Sequence, residues 1–351
     1  MELAALGWTP ERAVQAQSGL RQGLQPARVT RQNRHDCTLA GEAGTLTATV
    51  AGQLHRRGTS PVIVGDWVLY RPMPEGLPVV ETILERSSLF LRQSAGKRAT
   101  AQPVAANVDR AFILTTPDRD FRLNRLERFL VLAEASGTEA ALLLNKTDLA
   151  DDPEALLTQM GSVAMGRPVL GLRAETGEGV EAVRALIGTG QTAAFLGSSG
   201  MGKSTLINQL LGVETLQTGA IREADHRGRH TTTWRELLPL PGGGVVIDTP
   251  GLREIQLVGN VEAFERVFAD VVETCGRCRF SNCTHQNEPG CAVREALASG
   301  ALSTRRLAHY FELRAEVEAA AARFERRAKQ KARSNVRARK ETLSLQADED
   351  V

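Results

Sequence analysis

The spacing of apolar and polar positions changes character twice along the chain. From Ala27 to about Gln93 the apolar residues come in short, β-branched, partly alternating runs: ARVTRQ, DCTLA, GTLTATVAGQL, PVIVGDWVLYR and LPVVETIL. Gly41, Gly44, Gly58, Gly65 and a Pro/Gly cluster at 72–78 punctuate them. About five short strands in one small segment predict a closed barrel of the oligonucleotide-binding (OB) kind, with an SH3-like barrel as the competitor. From Asp109 the rhythm becomes α/β. Solid apolar strands at Asp109–Thr115, Glu139–Leu144, PVLGLRA and Ala194–Leu196 alternate with helical segments. These are Leu123–Glu134, with Leu126, Phe129, Leu130 and Ala133 on one face, then Glu154–Gln159 and Val180–Ile187. That alternation predicts a parallel sheet built from βαβ units. Two more strands follow, near Trp234–Leu240 and Gly243–Asp248. Beyond residue 259 a segment poor in apolar residues leads into helices at AVREALASG and STRRLAHYFELRAEVEAAAARFE, separated by Gly300. The expected organisation is a weakly structured start (1–26, one short helix at most), a barrel (27–93), a linker (94–106), an α/β domain (107–258), a cysteine-bearing helical domain (259–320) and a tail (321–351).

Charge sharpens this picture at one place. The whole chain of 351 residues carries only +2, but residues 321–340 hold six Arg and three Lys against Glu325 alone. A net +8 over that stretch is a phosphate-attracting density, and it leaves the rest of the chain net acidic. Arg28, Arg31, Arg34, His55, Arg56 and Arg57 add positive charge to the barrel, Lys97 and Arg98 to the linker, and Arg305, Arg306, His309 and Arg314 to the last helices. Either an RNA-facing surface or solubilising charge fits them. No run of 18 apolar residues occurs, so no membrane span is expected, and the start lacks the pattern of an export signal. Of five cysteines, Cys275, Cys278, Cys283 and Cys291 crowd one short segment, which points to a metal in a reducing, cytoplasmic setting.

The chemistry centres on residues 194–205. Ala194–Leu196 runs into Gly197-Ser198-Ser199-Gly200-Met201-Gly202-Lys203-Ser204-Thr205, the phosphate-binding loop between a strand and a helix. Its glycines let backbone N–H groups converge on phosphates, Lys203 can reach the β- and γ-phosphates, and Ser204 can ligate Mg²⁺. Asn145-Lys146-Thr147-Asp148 ends an apolar strand. Asp148 can accept from guanine N1–H and the exocyclic amine; adenine lacks both donors and would leave this buried carboxylate unpaired. Asn145 can brace the loop and contact N7, and the Lys146 stem can cover the base. Arg173 and Ala174, in Leu172–Gly177, can close the purine pocket, with a backbone N–H near Ala174 for O6. Asp248, in Asp248-Thr-Pro-Gly251, can hold an Mg²⁺-bound water, and the Gly251 N–H can sense a γ-phosphate. Between them lies Gly228-Arg229-His230-Thr231-Thr232-Thr233, whose Thr232, with Thr231 close behind, can complete the Mg²⁺ shell.

In this order the motifs resemble the circularly permuted GTPases, most closely the small-subunit-dependent ribosome-assembly family. NKTD at 145 and RAETG at 173 precede GSSGMGKS at 197, GRHTTT at 228 and DTPG at 248, whereas ordinary GTPases begin with the phosphate loop. The resemblance covers about residues 27–320. It implies GTP hydrolysis coupled to maturation of the 30S subunit, with 16S rRNA, GTP and GDP as partners and a monomeric protein. Leu252 stands where Ras-like relatives place Gln, so intrinsic hydrolysis is expected to be slow. His230 is then the internal candidate for positioning water, with His226 weaker, and Arg229 or Arg227 could offset transition-state charge. A nucleotide-gated RNA-binding module without hydrolysis, or a permuted GTPase acting on another particle, is the alternative. The spacing of the cysteine segment allows Cys275-x₂-Cys278 to compete as a ligand pair. The resemblance selects Cys278, Cys283, His285 and Cys291 as the ligands of one structural Zn²⁺ and leaves Cys275 to packing.

Overall fold

The computed structural model describes residues 2–33, 36–52, 54, 61–93, 101–118, 121–213, 236–248, 260–323 and 325–326. The chain divides into two compact units, Met1–Gln256 and Leu257–Val351.

In the first unit, β1 (Gln25–Gln32), β2 (Asp36–Gly41), β3 (Gly44–Val50), β4 (Trp67–Arg71) and β5 (Val79–Ile83) lie in the order β1-β2-β3-β5-β4. β1 pairs back onto β4 and closes the barrel, and only β3 and β5 run parallel. This is the OB-like arrangement, and it sets the SH3-like competitor aside. Ala27, Val29, Leu39, Ala48, Val68 and Val80 fill the inside with no exposed surface. β6 (Leu89–Gln93) and β7 (Ala101–Ala106) pair antiparallel, so part of the expected linker is a strand. The alternation in QPVAA was masked by Pro103, which β7 tolerates as one strand of a two-stranded sheet.

The α/β part follows the expected rhythm. β8 (Arg110–Thr115), β9 (Glu139–Asn145), β10 (Val169–Leu172), β11 (Thr192–Leu196) and β13 (Val245–Asp248) are parallel in the order β10-β9-β8-β11-β13. Helices Leu123–Ala135, Pro153–Ala164, Val180–Ala185 and Lys203–Leu211 are the crossovers. β9 and β11 are buried at almost every position because helices cover both faces, which is why they read as unbroken apolar runs. β12 (Glu236–Pro239) pairs antiparallel with β13 on one side and with the end of β1 on the other. Arg31 sits opposite Glu236 and donates to it at 2.8 Å. Barrel and α/β sheet are thereby one continuous eleven-stranded sheet.

The N-terminal segment is more ordered than the sequence led us to expect. Thr9 caps helix Pro10–Arg21 by accepting from the Arg12 N–H, with Pro10 in the first turn. Gly19 and Gly23 looked like breakers, but Gly19 lies inside this helix and packs on Leu69 of the barrel. Arg28, expected among the solvent-facing charges, is only 1% exposed. Its guanidinium donates to the carbonyls of Leu6, Gly65 and Asn107 and stacks on Trp67, whose ring also meets Trp8 edge-on. Burial, then the neighbouring Arg12, pulls its pKa down to about 9. The residue ties the N-terminal segment, the barrel and the entry to the α/β sheet. Arg28→Met removes the fork and strands buried carbonyls, and we expect a loss of about 2–3 kcal/mol, read as a lower urea midpoint at unchanged m-value.

The second unit holds helices Val261–Val267, Ala269–Gly276 and Ala292–Ser299 and a helical run over 304–323. Phe264, Phe268 and Tyr310 form its aromatic centre. Arg306 and His309, grouped above with possible RNA-facing residues, are 4% and 5% exposed. Arg306 makes a two-pronged pair with Asp270, donates to the Val267 carbonyl at 2.9 Å and lies over Phe268. Arg314 does reach the surface, where it pairs with Glu318 one turn on.

Candidate nucleotide site and metal centre

In a parallel α/β sheet the loops that leave the carboxyl ends of the strands share one edge, and ligands bind there. Asn145 ends β9, Arg173 follows β10, Gly197 follows β11 and Asp248 ends β13. The register places these positions side by side: Leu172 pairs with Asn145, and Ala194 with Ile247. Four motifs separated by up to a hundred residues of sequence therefore meet on one edge.

The hub is Asn145, 1% exposed. Its Nδ2 donates to the Met201 carbonyl at 2.8 Å, and its Oδ1 accepts from the Ala174 N–H at 3.0 Å. One side chain fastens the phosphate loop to the purine-closing loop, as expected of a brace. The Ala174 N–H, expected to face guanine O6, is directed to Asn145 in this structure. The purine-closing loop is tightened further by an Arg173–Glu178 bridge, made by backbone and by side-chain ion pair. Gln209 also donates to the Glu175 carbonyl at 3.4 Å.

The phosphate loop takes the strained path that its glycines permit. Gly197 has φ 140° and Gly202 φ 84°, and a Cβ at Gly202 would collide with the Asn145 amide. Met201 is buried and anchors the loop, while Ser199 and Gly200 are exposed. Ser198, Gly202, Ser204 and Thr205 are half-buried around the opening of helix Lys203–Leu211. Lys203 Nζ donates to the carbonyls of Gly197 (2.8 Å) and Ser198. Lys146, held at φ 59°, crosses over to the Gly200 carbonyl at 3.0 Å. Both ammonium groups are thus held on the loop that phosphates would contact. Arg125 joins them, donating to Ser198 Oγ at 3.2 Å. No motif pointed to Arg125; only the topology brings the helix after β8 to this edge.

Asp148 departs from expectation. It sits on the turn Thr147–Leu149 and is exposed, not buried. The turn carries it to the rim of this edge. Asp248 is half-buried at the end of β13. His230, Thr231, Thr232, Gly251 and Leu252 lie outside the described residues.

Asn145→Ala leaves the Met201 carbonyl and the Ala174 N–H without their partner. We expect about 2 kcal/mol of lost nucleotide binding, roughly 30-fold in Kd, measured by titration with a fluorescent GDP analogue.

In the second unit the ligand atoms of Cys278, Cys283, His285 and Cys291 all lie within 4.8 Å of one another. His285 Nδ1 is 3.6 Å from both Cys278 Sγ and Cys291 Sγ, which are 4.0 Å apart. A tetrahedron with Zn–S of about 2.3 Å and Zn–N of about 2.0–2.1 Å has edges close to these. Three thiolates and one imidazole leave no position for a substrate, so the donor set fits structural Zn²⁺. Burial opposes the Cys278 thiolate, but the N–H groups of Val293 and Ala292, opening helix Ala292–Ser299, draw its pKa below the ordinary value. Glu288 organises the loop between ligands: it accepts from the Thr284 hydroxyl and from the N–H groups of Thr284, Gln286 and Asn287, which holds its carboxyl down to about 2. Cys275 is half-buried and stays outside the ligand cluster.

A sequence model of the RsgA GTPase family matches residues 83–258. The chain is 43% identical to the small ribosomal subunit biogenesis GTPase RsgA of Opitutus terrae, across 93% of this chain and 92% of that one. It is 41% identical to the RsgA of Methanosarcina acetivorans, across 89% and 84%. The chain belongs to the RsgA GTPase family. Among solved RsgA-like structures, YjeQ from Thermotoga maritima superposes with a TM-score of 0.63 at 27% identity, over 84% of this chain and 98% of that one. YloQ, a circularly permuted GTPase, shares the fold with a TM-score of 0.60 at 23% identity, over 84% and 95%. The permutation read from the motif order is thus the architecture of the RsgA fold. An ABC transporter model also matches residues 180–345. That range holds the phosphate loop but not Asn145–Asp148, and no helix among the described residues is long and apolar enough to cross a membrane.

Proposed function

We propose that this chain hydrolyses GTP, with Mg²⁺, in the biogenesis of the small ribosomal subunit, binding 16S rRNA and leaving the 30S particle after hydrolysis. The observation that carries the nucleotide reading is Asn145, buried between the phosphate loop and the purine-closing loop. Asp148 on the adjoining rim is the group that selects guanine. Lys203 offsets charge on the β- and γ-phosphates, while Ser204 and Asp248 hold Mg²⁺ directly and through water. Thr232 would complete that shell, and His230 would position the attacking water. In this reading activation of the water belongs to His230, with Thr232 on the metal, when the chain is engaged by its partner. The 43% identity to a protein named for small-subunit biogenesis, over almost the whole of both chains, supports the choice of particle.

The test is single-turnover hydrolysis of GTP with and without 30S subunits, for wild type and His230→Ala. Slow basal turnover, stimulated by 30S and lost in both conditions on substitution, is the expected result. A basal rate retained in His230→Ala would make that side chain a docking group. No turnover in any condition would leave a nucleotide-gated RNA-binding module, and equal affinity for ATP and GTP would remove the guanine pocket.

A further inference from the structure

The phosphate loop is pinned near both of its ends. At its entry Gly197 runs so close to the end of β8 that a Cβ there would lie 2.7 Å from the Leu114 carbonyl. Further on, the Met201 carbonyl accepts from Asn145. Ser198 falls between these anchors, and two cations take hold of it. Its hydroxyl accepts from Arg125 Nη1 at 3.2 Å, and its carbonyl accepts from Lys203 Nζ. Arg125, Ser198 and Lys203 thus form one chain of contacts. It runs from the helix after β8 to the ammonium group that would meet the phosphates.

Arg125 stands on a rigid element. It lies in the first turn of helix Leu123–Ala135, whose Leu126 and Leu130 are 1% and 0% exposed. β8 and β11 are parallel neighbours, with Leu196 opposite Ile113, so the chain leaves both strands side by side at this edge. The half-buried Arg125 therefore reaches the loop from a fixed base. Its charge sits at the end of the helix that suits it least. Arg122 immediately precedes the helix, and the first turn holds no acidic residue and no side-chain cap. The helix dipole disfavours a cation there. A neutral side chain of the same length would pack as well at lower cost, whereas a donor aimed at the loop needs the charged head. The phosphates of a bound nucleotide offset that charge.

We propose that Arg125 is a positioning residue for GTP hydrolysis: bonded to the Ser198 hydroxyl, it fixes the loop residue whose carbonyl holds Lys203, and so aims the Lys203 ammonium at the β–γ bridge. The inference deepens the functional reading above and rests on it for the reaction. Arg125 acts through Ser198 and does not itself touch the nucleotide. Without it Ser198 keeps its place in the chain but loses its fixed direction, and the ammonium bonded to its carbonyl loses direction with it. The β-phosphate is held as well by the N–H groups of the loop, which Arg125 does not contact. Charge moving toward the β–γ bridge depends on the ammonium, so the loss falls on turnover more than on affinity for GDP. A misplacement on the order of 1 Å can lower a rate by up to about 10²-fold, and an indirect contact of this kind should sit near the lower end, at about tenfold.

The experiment compares the full zinc-loaded chain with Arg125→Ala, Ser198→Ala, the double variant and Arg125→Lys. Two readouts are taken: single-turnover hydrolysis at saturating GTP without 30S subunits, and the affinities for GDP and for a non-hydrolysable GTP analogue. Each alanine variant should turn over about tenfold more slowly and lose about threefold in the ratio of analogue to GDP affinity, with GDP itself bound within about twofold of wild type. The double variant should be no worse than either single one, because both remove the same contact. Arg125→Lys, which keeps a charged donor of similar reach, should recover most of the rate. Losses that add in the double variant would show that Arg125 works by a route other than Ser198, and they overturn the proposal. So does a rate and ratio unchanged in Ser198→Ala, which decides alone if Arg125→Ala proves unstable. GDP affinity and urea midpoint falling in step with the rate would make Arg125 a structural residue. A wild type that binds the analogue but does not turn over would remove the hydrolytic reading, while the affinity ratios would still decide the role of Arg125.

Discussion

Lys203→Ala should lower GTP turnover by about 10²–10³-fold at saturating GTP without disturbing the fold. Lys203 is half-buried, and its ammonium group meets the Gly197 and Ser198 carbonyls, both on the loop that wraps the phosphates. It holds no other element in place through these bonds. Its removal therefore takes one donor from the Gly197 and Ser198 carbonyls and no apolar side chain from the core. The charge matters most when negative charge shifts toward the β–γ bridge during hydrolysis, so the loss should fall on the chemical step beyond any effect on affinity. Single-turnover hydrolysis at rising GTP separates the two. A rate restored to wild type by saturation would mean that Lys203 only binds.

Extracting the metal should unfold the second unit while the first still binds nucleotide. Structural zinc supplies an apparent 10–16 kcal/mol to domains of this kind. The segment Arg277–Gly290 has little else to hold it, since it contributes no buried hydrophobic side chain and Phe280 stands exposed. Cys291 immediately precedes helix Ala292–Ser299, and Cys278 accepts from the N–H groups of Ala292 and Val293 at its start, so the ligands also fix where that helix begins. After a strong chelator, amide exchange should rise across the described part of the second unit, from residue 260 on, and stay slow in β8, β9 and β11. Cys283→Ser should do the same without chelator. Protection that survives metal loss in residues 260–323 would show that the aromatic centre of Phe264, Phe268 and Tyr310 is sufficient alone.

The order of elements and the chemistry of the loops were legible in the residues themselves. Buried parallel strands must be apolar throughout, and phosphate loops need glycine where backbone N–H groups converge, so both leave marks that no tertiary context erases. The cap at Thr9–Pro10 was equally present in the residues, but the expectation of one short helix at most rested on the glycines and did not use it. Burial of individual charges was not legible. Arg28, Arg306 and His309 looked like the cationic residues that do face solvent, because a charge in sequence carries no record of which carbonyls or rings will surround it. Asp148 went the other way, since a carboxylate expected inside proved to stand on a turn at the rim.

By itself, then, the chain's one-dimensional pattern determined a barrel, a permuted nucleotide-binding sheet and a cysteine-rich helical part, because periodicity and motif spacing are local properties. Only the folded structure decided that β1 joins the barrel to the α/β sheet through β12, that Asn145 bonds Met201 across 56 residues of sequence, and that Arg125 reaches the phosphate loop. Those are contacts between distant segments, and their existence depends on strand order and helix direction, which side-chain identity alone does not encode.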